Sequence, residues 1–229
     1  MALVLLDALG TLVELLAPAP LLVRELGERG VAIGEAQAAA ALTAEIAFYR
    51  ANHDSASDAA SLALLRDRCA EVLRAALTQA GADVQALDAA QLREALLAAL
   101  RFRAYDDVPD ALKALRRAGH RLVVVSNWDV SLHETLRRTG LAPLVDGAIS
   151  SAEAGAAKPD PRIFARALAL AGGGTQGRLH AGDSLEHDVA GALAAGLRPV
   201  LVARAGRPAA VPAGIAVIGS LAELAALAA

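Results

Sequence analysis

The sequence predicts an α/β fold in which a doubly wound parallel sheet is interrupted by an all-helical insertion. Three observations lead there. Short apolar runs recur and end in acidic or small polar residues, helical patterns separate them, and residues 15–103 carry long Ala- and Leu-rich helical patterns instead.

Leu3–Leu6 is an apolar run closing on Asp7, with Gly10 and Thr11 behind it, so it reads as a buried strand opening into a loop. The helical patterns of the insertion break near Gly30–Gly34, Asn52–Ser57 and Gly81–Asp88. Beyond it, Pro109–Ala118 reads as a helix stopped by Gly119, and Arg121–Ser126 as a strand. Leu132–Thr139, Pro161–Ala171 and Val189–Ala195 have helical patterns, while Leu179–Gly182, running into Asp183, and Leu197–Val202 read as strands. Alternation of this kind builds a parallel sheet with helices on both faces. Ligands then bind beyond the carboxyl ends of the strands, where Asp7, Ser126 and Asp183 all fall. The expected division is a core of residues 1–14 and 104–229 and a helical cap of residues 15–103, entering beside the site as a lid.

A chain of 229 residues has room for a core domain and a smaller inserted one. Its net charge of −3 and pI near 6.0 offer no track for a polyanion, so no nucleic-acid partner is expected. Arg116-Arg117 and Arg137-Arg138 read as solvated helix ends. The single cysteine, Cys69, has no partner for an internal disulfide, and its apolar helical setting suits buried packing. A reducing, cytoplasmic location follows as the expectation. The amino-terminal stretch lacks a basic leader before Asp7, and no apolar run reaches membrane-spanning length, so neither a signal peptide nor a membrane partner is expected. The 55% hydrophobic content is largely alanine, which favours helix without adding much burial. Oligomeric state stays open.

Four short segments stand at or just beyond the predicted strand ends. They are Asp7-Ala-Leu-Gly-Thr-Leu12, the run closing on Ser126-Asn127, Lys158-Pro-Asp-Pro161, and Gly182-Asp183-Ser184 continuing to Asp188 and Gly191-Ala192. An acid after four apolar residues is costly if merely buried, which favours a functional Asp7 over a turn acid. Ser126 also has a plainer reading as a strand-end cap, and Lys158 as a solvated loop lysine. Pro159 and Pro161 stiffen the chain around Lys158, and Pro161 suits the first turn of a helix capped by Asp160. Asp7 and Asp183 at one crevice would repel, so a bound cation is expected there.

In order, spacing and position these segments resemble the motif set of the haloacid dehalogenase superfamily, across essentially the whole chain. The resemblance implies a Rossmann-like core and a small-molecule substrate, anionic in character, hydrolysed through a covalent aspartyl intermediate on Asp7. It gives Ser126 and Lys158 catalytic roles steadying the transferring group, and Thr11 and Asn127 contacts to substrate. It places Mg2+ on Asp7, the Leu9 carbonyl and Asp183, with Asp188 supporting them or orienting Lys158.

Phosphatases of this family usually carry an acid-base aspartate two residues after the nucleophile, and here that position is Leu9. An isobutyl group transfers no proton, a loss of about 10²–10⁴-fold. L-2-haloacid dehalogenases lack that acid, since halide departs without a proton, but usually replace the metal-binding acid of the fourth motif by serine, whereas Asp183 is retained here. Phosphonoacetaldehyde hydrolases need a lysine in the lid, and between Glu14 and Arg103 there is none. The favoured expectation is a Mg2+-dependent phosphatase-like hydrolase. A dehalogenase-like hydrolase and a weakened phosphate- or protein-binding descendant are the alternatives. His53, Trp128-Asp129, His133, His180 and His187 are the visible candidates for a replacement acid, and Tyr49 and Arg50 for lid contacts to an anion. An apolar pocket around Leu9 is expected to penalise a carboxylate placed there.

Overall fold

The structure is a computed structural model and describes residues 2–172, 177–206, 208 and 210–228. It divides into two compact units, residues 1–14 with 103–229, and residues 15–102. Residue 103 therefore groups with the core unit, one position earlier than the pattern shift suggests.

The core unit opens with β1 (Leu3–Leu6), whose four side chains are all buried, as a strand covered on both faces requires. After the loop carrying Asp7, β2 (Val13–Leu15) leads out of the core. The second unit holds α1 (Pro18–Gly27), α2 (Glu35–Asn52), α3 (Ala59–Gln79) and α4 (Ala89–Ala99). Asp58 and Asp88 cap α3 and α4 by accepting the amides of Ser61 and Gln91, each at 2.8 Å. Leu22, Leu26, Leu73, Leu77, Leu92 and Leu96 form the centre of this unit's own core. Cys69 is buried among them, and burial raises the neighbouring Glu45 carboxyl above its ordinary value. The return strand β3 (Phe102–Ala104) pairs with β2.

The remaining elements are α5 (Val108–Arg117), β4 (Arg121–Ser126), α6 (Leu132–Arg138), β5 (Gly147–Ser150), α7 (Ser151–Ala154), α8 (Pro161–Leu170) and β6 (Leu179–Gly182). A π-helical turn, Leu185–Val189, runs into α9 (Ala190–Ala194), followed by β7 (Arg198–Val202), β8 (Ala216–Ile218) and α10 (Leu224–Ala228). Among the described residues, six strands form one sheet in the order β5-β4-β1-β6-β7-β8, and every pairing is parallel. Helices α8 and α9 cover one face through Phe164, Ile163 and Ala192, while α5 packs against β4 and α10. The fold is therefore the α/β doubly wound core expected from the alternating pattern. The short β2, β3, β5 and β8 escaped sequence reading, because Gly-Ala-Ile-Ser and Ala-Val-Ile are too brief to show a period.

In this order the chain builds β1, β4 and β5 outward on one side, then crosses back to set β6 on the other side of β1. The crossover makes β1 and β6 the switch point, and the crevice of such a sheet opens at their carboxyl ends. Asp7 follows β1 and Asp183 follows β6 directly. The Asp7 amide donates to the Ala181 carbonyl at 2.9 Å, so the two strand ends stay in register up to the acids.

Candidate active site

Asp7 is 5% exposed and lies at the centre of a charged cluster. Ser126 Oγ donates to its Oδ1 at 2.9 Å, and Lys158 Nζ donates to the same oxygen at 2.5 Å. Oδ2 carries neither bond, which leaves one carboxylate oxygen for chemistry. Lys158, only 3% exposed, also donates to Asp188 Oδ1 at 2.5 Å. The ammonium is thus shared by two buried carboxylates.

Lys158 is delivered by its backbone. Asn127 accepts the Lys158 amide on Oδ1 at 2.7 Å and donates Nδ2 to the Lys158 carbonyl at 3.0 Å. Both ends of the Asn127 amide are engaged in this way, so its side chain secures the lysine loop. The next residue, Pro159, packs so closely on Gly191 that a Cβ there would lie 3.0 Å from Pro159 Cα and 2.8 Å from Phe164. That contact explains the second glycine of the fourth segment, Gly191.

Two more glycines are required by the acids themselves. Gly10 has φ +83°, and a Cβ on it would lie 2.2 Å from Asp183 Oδ2. On Gly182 a Cβ would meet the Asp188 carboxyl at 2.1 Å. The π turn brings Asp188 back over the strand end: Val189 N donates to the Ser184 carbonyl at 3.0 Å, and Ser184 N donates to Asp188 Oδ2 at 3.0 Å. With Lys158 and His180, 2.8 Å away, on Oδ1, both Asp188 oxygens are occupied.

Carboxylate oxygens of Asp7, Asp183 and Asp188 all lie within 4.8 Å of one another. One buried ammonium cannot neutralise three acids, and the titrations divide accordingly. Burial would raise Asp188, but Lys158 and His180 outweigh it and hold Asp188 well below the usual carboxylate range. Burial raises Asp7, opposed by Lys158. Asp183 is pushed up to about 6 by burial of its inner side and by repulsion from Asp7 and Asp188, although the residue is open to solvent. Burial alone would lower Lys158; the two carboxylates beside it reverse that and keep it charged.

Thr11 is fully buried, and its Oγ1 has no hydrogen-bond partner among the described residues. Leu9 is 39% exposed, so the apolar pocket expected around it is absent. The bonds closing its loop, Val13 N to Ala8 O at 2.9 Å and Gly10 N to Val13 O at 2.8 Å, do not use the Leu9 carbonyl. Of the histidines, His53 pairs with Asp54, His133 with Glu153 and His187 with Ser184, while the fully buried His180 supports Asp188. Asp129 is buried and accepts Ser131 N in a local turn. The roles of His180 and the π turn were invisible in sequence, because both depend on contacts across the strand end.

An acid at the switch-point strand, a buried lysine, a strand-end serine and a second acidic pair define the class. The sequence model of the haloacid dehalogenase-like hydrolase family matches residues 1–196, and the chain belongs to that family. A bovine relative, haloacid dehalogenase-like hydrolase domain-containing protein 3, is 44% identical over 92 residues, covering 40% of this chain and 37% of the relative. The phosphoserine phosphatase of Thermus thermophilus is 36% identical over 139 residues, 60% of this chain and 55% of that protein. These matches span about half or less of the curated relatives' lengths. A crystallised HAD phosphatase from Thermococcus onnurineus has a TM-score of 0.62 at 25% identity, covering 98% and 96% of the two chains. The L-2-haloacid dehalogenase of Xanthobacter autotrophicus shares the fold at TM-score 0.69 and 21% identity, covering 99% and 97%. No helix among the described residues is long and apolar enough to cross a membrane.

Proposed function

We propose that the chain is a Mg2+-dependent phosphatase-like hydrolase acting on a small phosphorylated metabolite, with Asp7 as nucleophile. The observation that carries this reading is the convergence of Asp7, Asp183 and Asp188 within 4.8 Å around a single ammonium. Such a set suits a hard divalent cation, which Asp7, Asp183 and the Leu9 carbonyl would hold. When bound, it supplies charge neutralisation for a phosphoryl group approaching three acids.

Asp7 attacks phosphorus through Oδ2, forming the aspartyl phosphate as the P–O bond to the leaving group breaks. Ser126 and Lys158 fix the attacking carboxylate through Oδ1 and steady the phosphoryl oxygens. Asn127 keeps Lys158 in place, and Asp188 keeps it charged. Water then cleaves the aspartyl phosphate and regenerates Asp7. Leu9 provides no proton for the leaving group, so substrates whose leaving groups depart as stable anions are favoured. The curated phosphoserine phosphatase relative supports phosphate-ester chemistry. We read residues 15–102 as a cap unit that supplies substrate specificity.

Leu9 also favours a second reading, an L-2-haloacid dehalogenase-like hydrolase, since halide needs no proton. One screen separates the two: phosphate esters and 2-halo-acids, each with Mg2+ and with chelator. Phosphate-ester turnover abolished by chelator is expected. Halo-acid turnover that survives chelator would replace the first reading by the second.

A further inference from the structure

The far end of the nucleophile loop is held by residues that no motif includes. Arg204, Ser220 and Leu221 lie beyond the 1–196 segment matched by the family model. From Arg204, Nε donates to the Thr11 carbonyl at 3.2 Å and Nη2 to the same carbonyl at 2.7 Å. Its Nη1 donates to Asp107 Oδ1 at 2.9 Å, and its guanidinium carbon stands 3.8 Å from the centroid of the Tyr105 ring. Asp107 Oδ2 accepts Ser220 Oγ and Leu221 N, each at 2.7 Å. Burial would raise the Asp107 carboxyl, but Ser220 and Arg204 hold it below its ordinary value, so it stays ionised opposite the guanidinium. Tyr105 N donates to the Leu12 carbonyl at 3.1 Å.

We propose that Arg204 is a positioning residue for the nucleophile: through the Thr11 carbonyl it fixes the loop that sets the Asp7 carboxylate and the Leu9 carbonyl. The proposal rests on the reading of Asp7 as nucleophile. Between β1 and β2 the backbone makes a tight turn with Gly10 at positive φ, closed by the amides of Thr11, Leu12 and Val13, which all donate to the Ala8 carbonyl at 3.3, 2.8 and 2.9 Å. A shift at Thr11 is therefore passed through these bonds to Ala8, and so to Asp7 and Leu9 on either side of it. The planar guanidinium suits this task because two of its N–H groups converge on one carbonyl, a third engages Asp107, and its face rests on Tyr105. An ammonium presents no such fork, so lysine does not substitute.

The test compares wild type, Arg204→Ala and Arg204→Lys, with the exposed Arg162→Ala as control. Amide hydrogen exchange over residues 8–13 is measured alongside kcat and KM for an aryl phosphate with Mg2+. Both Arg204 variants should exchange at least roughly tenfold faster in that segment. Their kcat should fall by about 10²-fold, with KM held within about threefold. Unchanged exchange, or a loss confined to KM, would overturn the proposal. If wild type leaves aryl phosphate intact while loop exchange quickens in the variants, the phosphatase reading fails and the clamp stands. Should Arg204→Ala not fold, Asp107→Asn, which weakens one arm of the clamp, should give the same changes at smaller size; wild-type exchange in it would count against the idea.

Discussion

Replacing Lys158 by Met should unbalance the site in a way that depends on pH. The ammonium is buried and bridges Asp7 and Asp188 at 2.5 Å each. Removing one partner of a buried pair costs about 3–5 kcal/mol, because the remaining charge loses its compensation. For a chain of this length each kcal/mol is worth roughly 2–4 °C in Tm, so a drop on the order of 6–20 °C is expected near neutral pH in chelator. Without the lysine, Asp7 and Asp188 both titrate upward, so the folded mutant binds protons that the unfolded chain releases. Its deficit should therefore shrink as pH falls from about 7.5 towards about 5. Thermal melts of both proteins at the two pH values measure this. A mutant within about 2 °C of wild type at the higher pH, or a deficit that widens on acidification, would refute the buried-bridge account.

Asp183→Asn should stabilise the metal-free protein near neutral pH. The wild-type carboxyl is raised to about 6, so its ionised form opposes folding above that pH and the opposition fades as pH falls through it. Melts in chelator should show the advantage of Asn shrinking below about pH 6 and lost by about pH 4, near the carboxyl's unfolded value, whereas an advantage growing with acid would contradict the sign. Gly10→Ala places a Cβ where Asp183 Oδ2 stands and puts alanine at positive φ, so calorimetric Mg2+ affinity should fall by roughly tenfold or more. Unaltered affinity would detach Asp183 from the metal. Leu9→Asp should raise kcat/KM for alkyl phosphates selectively over aryl phosphates, by up to about 10²-fold or more. Because Leu9 is half open to water, that carboxylate should cost little stability, and melts would check it.

What could be read from sequence was local. The runs ending at Asp7, Ser126 and Gly182 revealed the central parallel strands, because apolar runs bounded by turn residues keep their signal in a single segment. Asp7, Ser126, Lys158 and Asp188 meet in one bonded cluster because the strand ends, loop and turn that carry them all lie at the carboxyl edge of the sheet, after β1, β4, β5 and β6. Hidden features were pairwise and long-range. Asn127 grips a backbone 31 residues away, and Arg204 reaches a carbonyl 193 residues away; neither leaves a local pattern. Leu9 misled for a related reason: an apolar residue in a buried motif suggested a pocket, while the turn at Gly10 leaves it open to solvent. Gly10 and Gly182 could have been read further, since glycine beside an acid in a strand-end loop signals close approach of backbone and carboxylate.

The most direct test of the account asks whether Asp7 becomes phosphorylated. Wild type mixed with an aryl phosphate and Mg2+ is quenched during turnover, reduced with borohydride, which converts an aspartyl phosphate to homoserine, and digested for mass spectrometry. Homoserine at position 7, absent without substrate, is the predicted result. Steady turnover with Asp7 unmodified at every quench time, or with the modification at another aspartate, would contradict Asp7 as the nucleophile.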